Sequence, residues 1–188
     1  MSFDANGKVT EASSAEREQK HKIIVFELGD QTFAVEVDLV REILRFQEIR
    51  PVPHTPPSFL GVCTIRGEII PVIDLAVFLR ISSDVELKDK KLIILELKEE
   101  GNIKVAVAVD SVRRIYEISA KQMDFTLRES FLGEHLTCIV KQEGENVLLP
   151  NFEKIIRAFK LENLKLSKKA FEEADLEAFA NEESEAEN

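Results

Sequence analysis

Residues Phe59–Asp74, FLGVCTIRGEIIPVID, decide the fold. Two apolar runs rich in branched side chains flank Arg66-Gly67, and a glycine there supplies the positive φ that a tight hairpin turn often needs. The stretch therefore reads as two strands joined at that turn. Pro71 has no N–H to give a ladder, which places it on an edge or at a bulge. A turn of helix is expected from Leu75 to Leu79. Just upstream, Arg50–Pro57 (RPVPHTPP) holds four prolines in eight residues. Each proline fixes its own φ and biases the residue before it towards extended geometry, so this segment is an extended connector.

Further out the grain stays β-like. His21–Leu28 (HKIIVFEL) is apolar at consecutive positions, which suits a strand buried on both faces. Gly29-Asp30 turns the chain, and Gln31–Val37 alternates, with Phe33, Val35 and Val37 on one side. The two form a hairpin. Asp38–Leu44 reads as a short helix or turn, Asp38 capping it and Leu39, Val40, Ile43 and Leu44 sharing a face. Lys91–Leu97, Ile103–Val109 and Val112–Ile118 are three more strands, the first two joined through 99–102. Val147–Leu149 is the last short strand, and Asn151 caps a helix over Phe152–Phe159. Ser58-Phe59-Leu60-Gly61 recurs as Ser130-Phe131-Leu132-Gly133, as two subdomains of similar topology would produce.

Charge narrows the function. The 188 residues carry a net charge of −10, which argues against a nucleic-acid binder and against docking on an anionic membrane surface. No apolar run approaches the roughly 18 residues that span a bilayer. The first twenty residues lack the apolar block of a secretory signal, so a cytoplasmic protein is expected. Residues 1–20 hold four acids and three bases, and residues 161–188 nine acids and three bases. The expected organisation is a flexible polar lead (1–20), a folded body (21–160) and an acidic tail (161–188), disordered or faintly helical, punctuated by Phe171, Leu176 and Phe179.

No catalytic constellation emerges. His21, His54 and His135 are far apart in sequence and in no metal-ligand spacing. Cys63 and Cys138 sit among apolar neighbours, as small buried side chains of a reducing compartment do. There is no phosphate-binding glycine loop and no nucleophile elbow. The reading is no enzyme, no cofactor and no metal, with a small β-barrel enzyme as the alternative of a different class.

One stretch is specific. Val52-Pro53-His54-Thr55-Pro56, followed by Gly61-Val62-Cys63-Thr64-Ile65-Arg66-Gly67-Glu68-Ile69-Ile70-Pro71-Val72-Ile73-Asp74-Leu75, resembles the central signature of CheW-like chemotaxis adaptors. Phe26-Glu27-Leu28-Gly29-Asp30, Val40-Arg41-Glu42-Ile43, Ala106–Asp110 and Asn151–Ile156 resemble its flanks in order. The chain departs from the pattern at Thr64, Ile65 and Ala106.

The resemblance implies a mainly β fold of two small five-stranded, SH3-like barrels packed together, with short helices including a C-terminal one. It implies a scaffold without catalysis that couples chemoreceptor cytoplasmic tips to the regulatory domain of a CheA-type histidine kinase, with self-association in arrays at the inner face of the membrane. A scaffold of a non-flagellar chemosensory system is the alternative within the family. The implied protein-binding residues are Arg66 at the turn, Gly61, the patch Val40, Glu42 and Ile43, and Leu92 with Ile115 on the second barrel's groove wall. No cofactor is implied.

Overall fold

The computed structural model describes residues 20–98, 102–126 and 135–160. In chain order these form β1 (Lys20–Leu28), β2 (Gln31–Glu36), a 3-10 turn (Val37–Leu39), β3 (Val40–Arg45), β4 (Phe59–Ile65), β5 (Glu68–Asp74) and α1 (Leu75–Leu79). There follow β6 (Lys91–Leu97), β7 (Ile103–Val109), β8 (Ser111–Ser119), β9 (Met123–Asp124), β10 (Leu136–Gln142) and β11 (Glu145–Pro150). A second helix, α2, occupies residues 152–160. Residues 99–101 between β6 and β7, the second copy of the repeated tetrapeptide, residues 1–19 of the lead and the tail lie outside the described residues.

The strands make two sheets, ordered β8-β1-β2-β11-β10-β9 and β3-β6-β7-β5-β4. The first has six strands rather than the expected five, because the two-residue β9 pairs with β10 through Met123 and Asp124. Without β9 the two orders are the same. Strands β1 and β2 correspond to β6 and β7, β8 to β3, and the β10–β11 hairpin to the β4–β5 hairpin; in each sheet one strand of the hairpin lies parallel to the next strand. Ser58–Gly61 falls at the start of β4, and its sequence copy immediately precedes β10.

Three hydrophobic cores explain the apolar runs. Ile23, Val25, Ala34, Ile118, Cys138, Val140, Val147 and Leu149 fill the first sheet's interior. Cys63, Ile65, Ile70, Val72, Leu92, Ile94, Ala106 and Ala108 fill the second's. The largest core lies between the sheets, drawing Ile24, Phe26 and Leu28 from β1, Ile93, Leu95 and Leu97 from β6, and Phe152, Ile155, Ile156 and Phe159 from α2. Successive side chains of a strand point to opposite faces. A strand that serves a barrel interior with one face and the shared core with the other must therefore be apolar at consecutive positions, and β1 is over Ile23–Phe26, β6 over Leu92–Leu95 and β7 over Val105–Val109. Cys63 and Cys138 stand in different interiors, so no disulfide joins them.

Two local readings change. Val40–Arg45 is a strand paired with β6, not a helix or turn; only Val37–Leu39 winds. Its exposure alternates, Arg41, Ile43 and Arg45 outward and Val40, Glu42 and Leu44 half-buried, so Ile43 and Leu44 do not share a face. Pro71 lies on an internal strand rather than an edge or a bulge. It is tolerated because it opposes Val62 in β4, while the ladder to β7 starts only at Val72. Asp74 caps α1 by accepting from the Val77 N–H at 3.2 Å, and Asn151 caps α2 by accepting from the Lys154 N–H at 3.0 Å.

A buried ionic cluster stitches the barrels together. Lys90 Nζ lies 3.0 Å from Asp110 Oδ1 and 3.4 Å from Asp74 Oδ2. Asp110 stands between β7 and β8, where the chain passes from the second sheet to the first, and its Oδ2 accepts from the Gly29 N–H at 2.6 Å. Burial alone would push the Asp110 carboxyl up, but hydrogen bonds from Gly29, Ser83 and Lys90 hold it below its ordinary value of 3.8. A carboxylate held low contributes stability that is present above its ordinary pKa and is lost as pH falls through the folded-state value. Urea titrations below about pH 4 should therefore show stability falling with pH, and Asp110→Asn should flatten that slope. An unchanged slope would remove Asp110 from the account.

Candidate functional site

The β4–β5 turn places both Arg66 (φ 51°) and Gly67 (φ 84°) in the left-handed region, the geometry a two-residue hairpin loop adopts to follow strand twist. Arginine carries a steric cost there that glycine does not. Arg66 points outward and donates from Nη2 to Glu42 Oε2 at 2.9 Å. A β-bulge between Val40 and Glu42 sets two consecutive charged residues, Arg41 and Glu42, towards this turn. Arg41 reaches Glu68 at 3.6 Å, and Lys104 shares the same carboxylate. Two residues singled out from the sequence, Arg66 and Glu42, are thus direct partners.

The first barrel repeats the device with the charges exchanged. At the corresponding β10–β11 turn, Glu143 (φ 50°) precedes Gly144 (φ 85°). Glu143 accepts from Arg114 of β8 at 2.7 Å, and Arg114 also lies over the Tyr116 ring, 4.7 Å from its centroid. Each ion pair ties an edge strand to the hairpin turn across the barrel. The second barrel adds a main-chain closure: Arg50 exchanges hydrogen bonds with Val62 at 2.8 and 2.9 Å.

The remaining sequence candidates separate by burial. Ile43 is 40% exposed and opposes Ile93, whose side chain belongs to the shared core. Ile115 is 60% exposed and opposes Ile24, another member of that core. Both isoleucines therefore sit where an inter-sheet face runs out to solvent, each on an edge strand. Ile115 belongs to the first sheet, not to the second barrel's wall as expected. Val40 is half-buried against the shared core. Leu92 is fully buried inside the second barrel and offers no surface to a partner, and the interior position of β6 is the reason. Gly61 packs against the connector backbone, so its place in the structure is at the barrel closure.

Sequence reading missed Ile69, the most exposed large apolar side chain among the described residues at 74%. It lines a groove of about 420 Å³ with Gln47, Glu48, Arg50, Val62 and Thr64. Ile69 and Ile70 are consecutive, and pattern alone does not say which faces out; the polar cross-strand partner Thr64 was the available signal.

Chemistry is sparse here. Burial pushes the Cys63 thiol up, away from the reactive thiolate. His135 packs edge-on against Phe78, ring centroids 5.7 Å apart. Among the described residues no three His, Cys, Asp or Glu side chains stand close enough to hold a metal ion. No described helix is long and apolar enough to cross a membrane.

The sequence model of the CheW-like domain matches residues 22–160, which takes in both sheets and α2. The chain belongs to the CheW-like family. Among its relatives is the chemotaxis protein CheW of Thermotoga maritima, 32% identical over 138 residues, covering 73% of this chain and 89% of that protein. Protein FrzA of Myxococcus xanthus is 30% identical over 149 residues, covering 78% and 91%. A crystal structure of the scaffolding protein TtCheW from Thermoanaerobacter tengcongensis superposes with a TM-score of 0.64 at 26% identity, covering 70% of this chain and 88% of that one. The CheW-like match ends at residue 160, so the acidic tail is an addition to the shared domain. This chain's departure from the family pattern at Ala106 is accommodated inside the second barrel, where the small side chain lies between Val72 and Ile94 of the flanking strands.

Proposed function

We propose that this chain is a non-enzymatic cytoplasmic scaffold of chemotaxis, coupling chemoreceptor cytoplasmic tips to the regulatory domain of a CheA-type histidine kinase. In this reading it sits at receptor arrays on the inner face of the membrane, held there by its partners. The observation that carries it is the pair of exposed isoleucines, Ile43 and Ile115, on edge strands at the margins of the inter-sheet core, with the Arg66–Glu42 pair beside the first. A helical partner docks into a groove through a row of apolar anchors with a polar rim, and this surface has both parts. Arg66 brings a forked donor suited to carboxylates or carbonyls on such a helix.

Affinity of the full chain for a purified CheA-type kinase and for a receptor-tip fragment tests the reading. Truncating a central anchor costs upwards of about 2 kcal/mol, so Ile43→Asp should weaken receptor-tip binding by more than about tenfold. Arg66→Ala should weaken binding to at least one partner while the melting temperature moves by no more than about 2 °C, as for ordinary surface substitutions. Wild-type affinity in both variants would retire this surface, and no binding by the wild type to any kinase or receptor offered would retire the function. Running the assay against kinases of several chemosensory systems tells which system the scaffold serves.

A further inference from the structure

Edge strand β3 and its neighbour β6 set two cations side by side with no acid among the described residues paired to either. Arg45 lies directly opposite Lys91 across the β3–β6 ladder. Like charges in opposed cross-strand positions destabilise a sheet, yet no ion pair among the described residues neutralises either side chain. The adjacent Lys90 is committed to Asp74 and Asp110. Two residues before Arg45, on the same face, stands Ile43, 40% exposed. The strip sets the apolar Ile43 beside the two cations Arg45 and Lys91, and the chemistry that matches it is an acidic segment with interspersed apolar side chains.

This chain carries such a segment. Residues 171–187 hold eight acids and no base, with Phe171, Leu176 and Phe179 among them. The segment lies beyond the family match, which stops at residue 160. Its point of departure favours the second barrel. Phe159 of α2 packs on Phe59 of β4 with ring centroids 5.5 Å apart, and β4 is drawn to the continuation of β3 by the Arg50–Val62 closure. The eleven residues from 160 to 171 span up to about 36 Å when extended, whereas a body of this size has a radius of gyration of about 14 Å. Tethering at that range raises the effective concentration to about the millimolar level, so modest contacts suffice.

We propose that residues 171–187 dock in cis on the Ile43–Arg45–Lys91 strip, acids against the two cations and an aromatic or leucine side chain on Ile43. The tail then covers Ile43 and competes with any partner that uses that residue. The proposal stands on charge, tether length and exit point, and does not depend on the coupling function.

Paramagnetic relaxation in the full-length chain tests it. Cys63 and Cys138 are buried, so a nitroxide introduced at Ala178→Cys labels the tail selectively. The amides of Ile43, Arg45 and Lys91 should lose most of their intensity at low salt. They should recover it in Arg45→Glu/Lys91→Glu, and in the unmutated body at about 1 M salt, where the Debye length is about 3 Å. Broadening centred elsewhere, spread evenly, or unmoved by both charge reversal and salt overturns the proposal. Broadening that appears only when labelled and isotope-enriched chains are mixed makes a second copy the occupant, and overturns it equally.

Discussion

Lys90→Met should destabilise the fold by about 3–5 kcal/mol, the largest loss expected from any single charge removal here. The Lys90 side chain is almost wholly buried between Asp74 and Asp110, at 3.4 and 3.0 Å. Methionine fills much of the volume, but it leaves two buried carboxylates facing each other with no cation. For a body of this size such a loss lowers the melting temperature by about 10–15 °C. The effect belongs to the broken set rather than to the polar residues as such, since replacing a whole buried ionic group is often nearly neutral. Lys90→Met combined with Asp74→Asn and Asp110→Asn should therefore regain part of the stability, asparagine keeping the α1 cap and an acceptor for the Gly29 N–H. Thermal and urea denaturation of the two variants check this. A cost below about 1 kcal/mol for Lys90→Met would mean that water reaches the cluster and that it does not hold the barrels together.

Gly61→Ala comes next. A Cβ built on Gly61 falls 2.1 Å from the Arg50 carbonyl oxygen and 2.7 Å from its carbon, and φ is +132°. Neither conflict is with a side chain that swings away. The connector backbone must retreat, and the Arg50–Val62 hydrogen bonds that close the second barrel go with it. Overpacking and a disfavoured backbone each cost about 1–3 kcal/mol, so a combined loss of about 3 kcal/mol or more is expected. Gly67→Ala is the control. Its φ of +84° carries the same kind of conformational cost, but nothing lies within 4 Å of the new methyl group. Its loss should stay near 1 kcal/mol. Equal losses at the two glycines, read from urea melts, would show that backbone strain accounts for both and that the closure contributes nothing.

Much of the architecture was written in local pattern. The β4–β5 hairpin followed from Arg66-Gly67, the α2 cap from Asn151, and β1, β6 and β7 from branched apolar runs that suit no surface strand. These depend on turn chemistry, capping and side-chain periodicity, which act within a few residues. Ile43 and Leu44 were misread for the same reason: over six residues a helical face and a strand alternation both fit VREILR, and only the β6 partner chooses between them. The extra strand β9 is two residues long, too short to leave a pattern.

The contact surface was legible only in part. That Arg66 sits exposed at a turn could be read from Gly67 beside it, whereas its partnership with Glu42 spans 24 residues and needs both the hairpin and the bulge in β3. Leu92 and Ile43 are both aliphatic residues that the resemblance implies at a partner surface. One strand lies inside the sheet and the other at its edge, so Leu92 is buried and Ile43 is not. Most strands were thus carried by the chain locally, β3, β9 and β10 excepted. Which apolar side chains remain available to a partner was settled by strand order, because burial depends on the neighbours a strand acquires and not on its own composition.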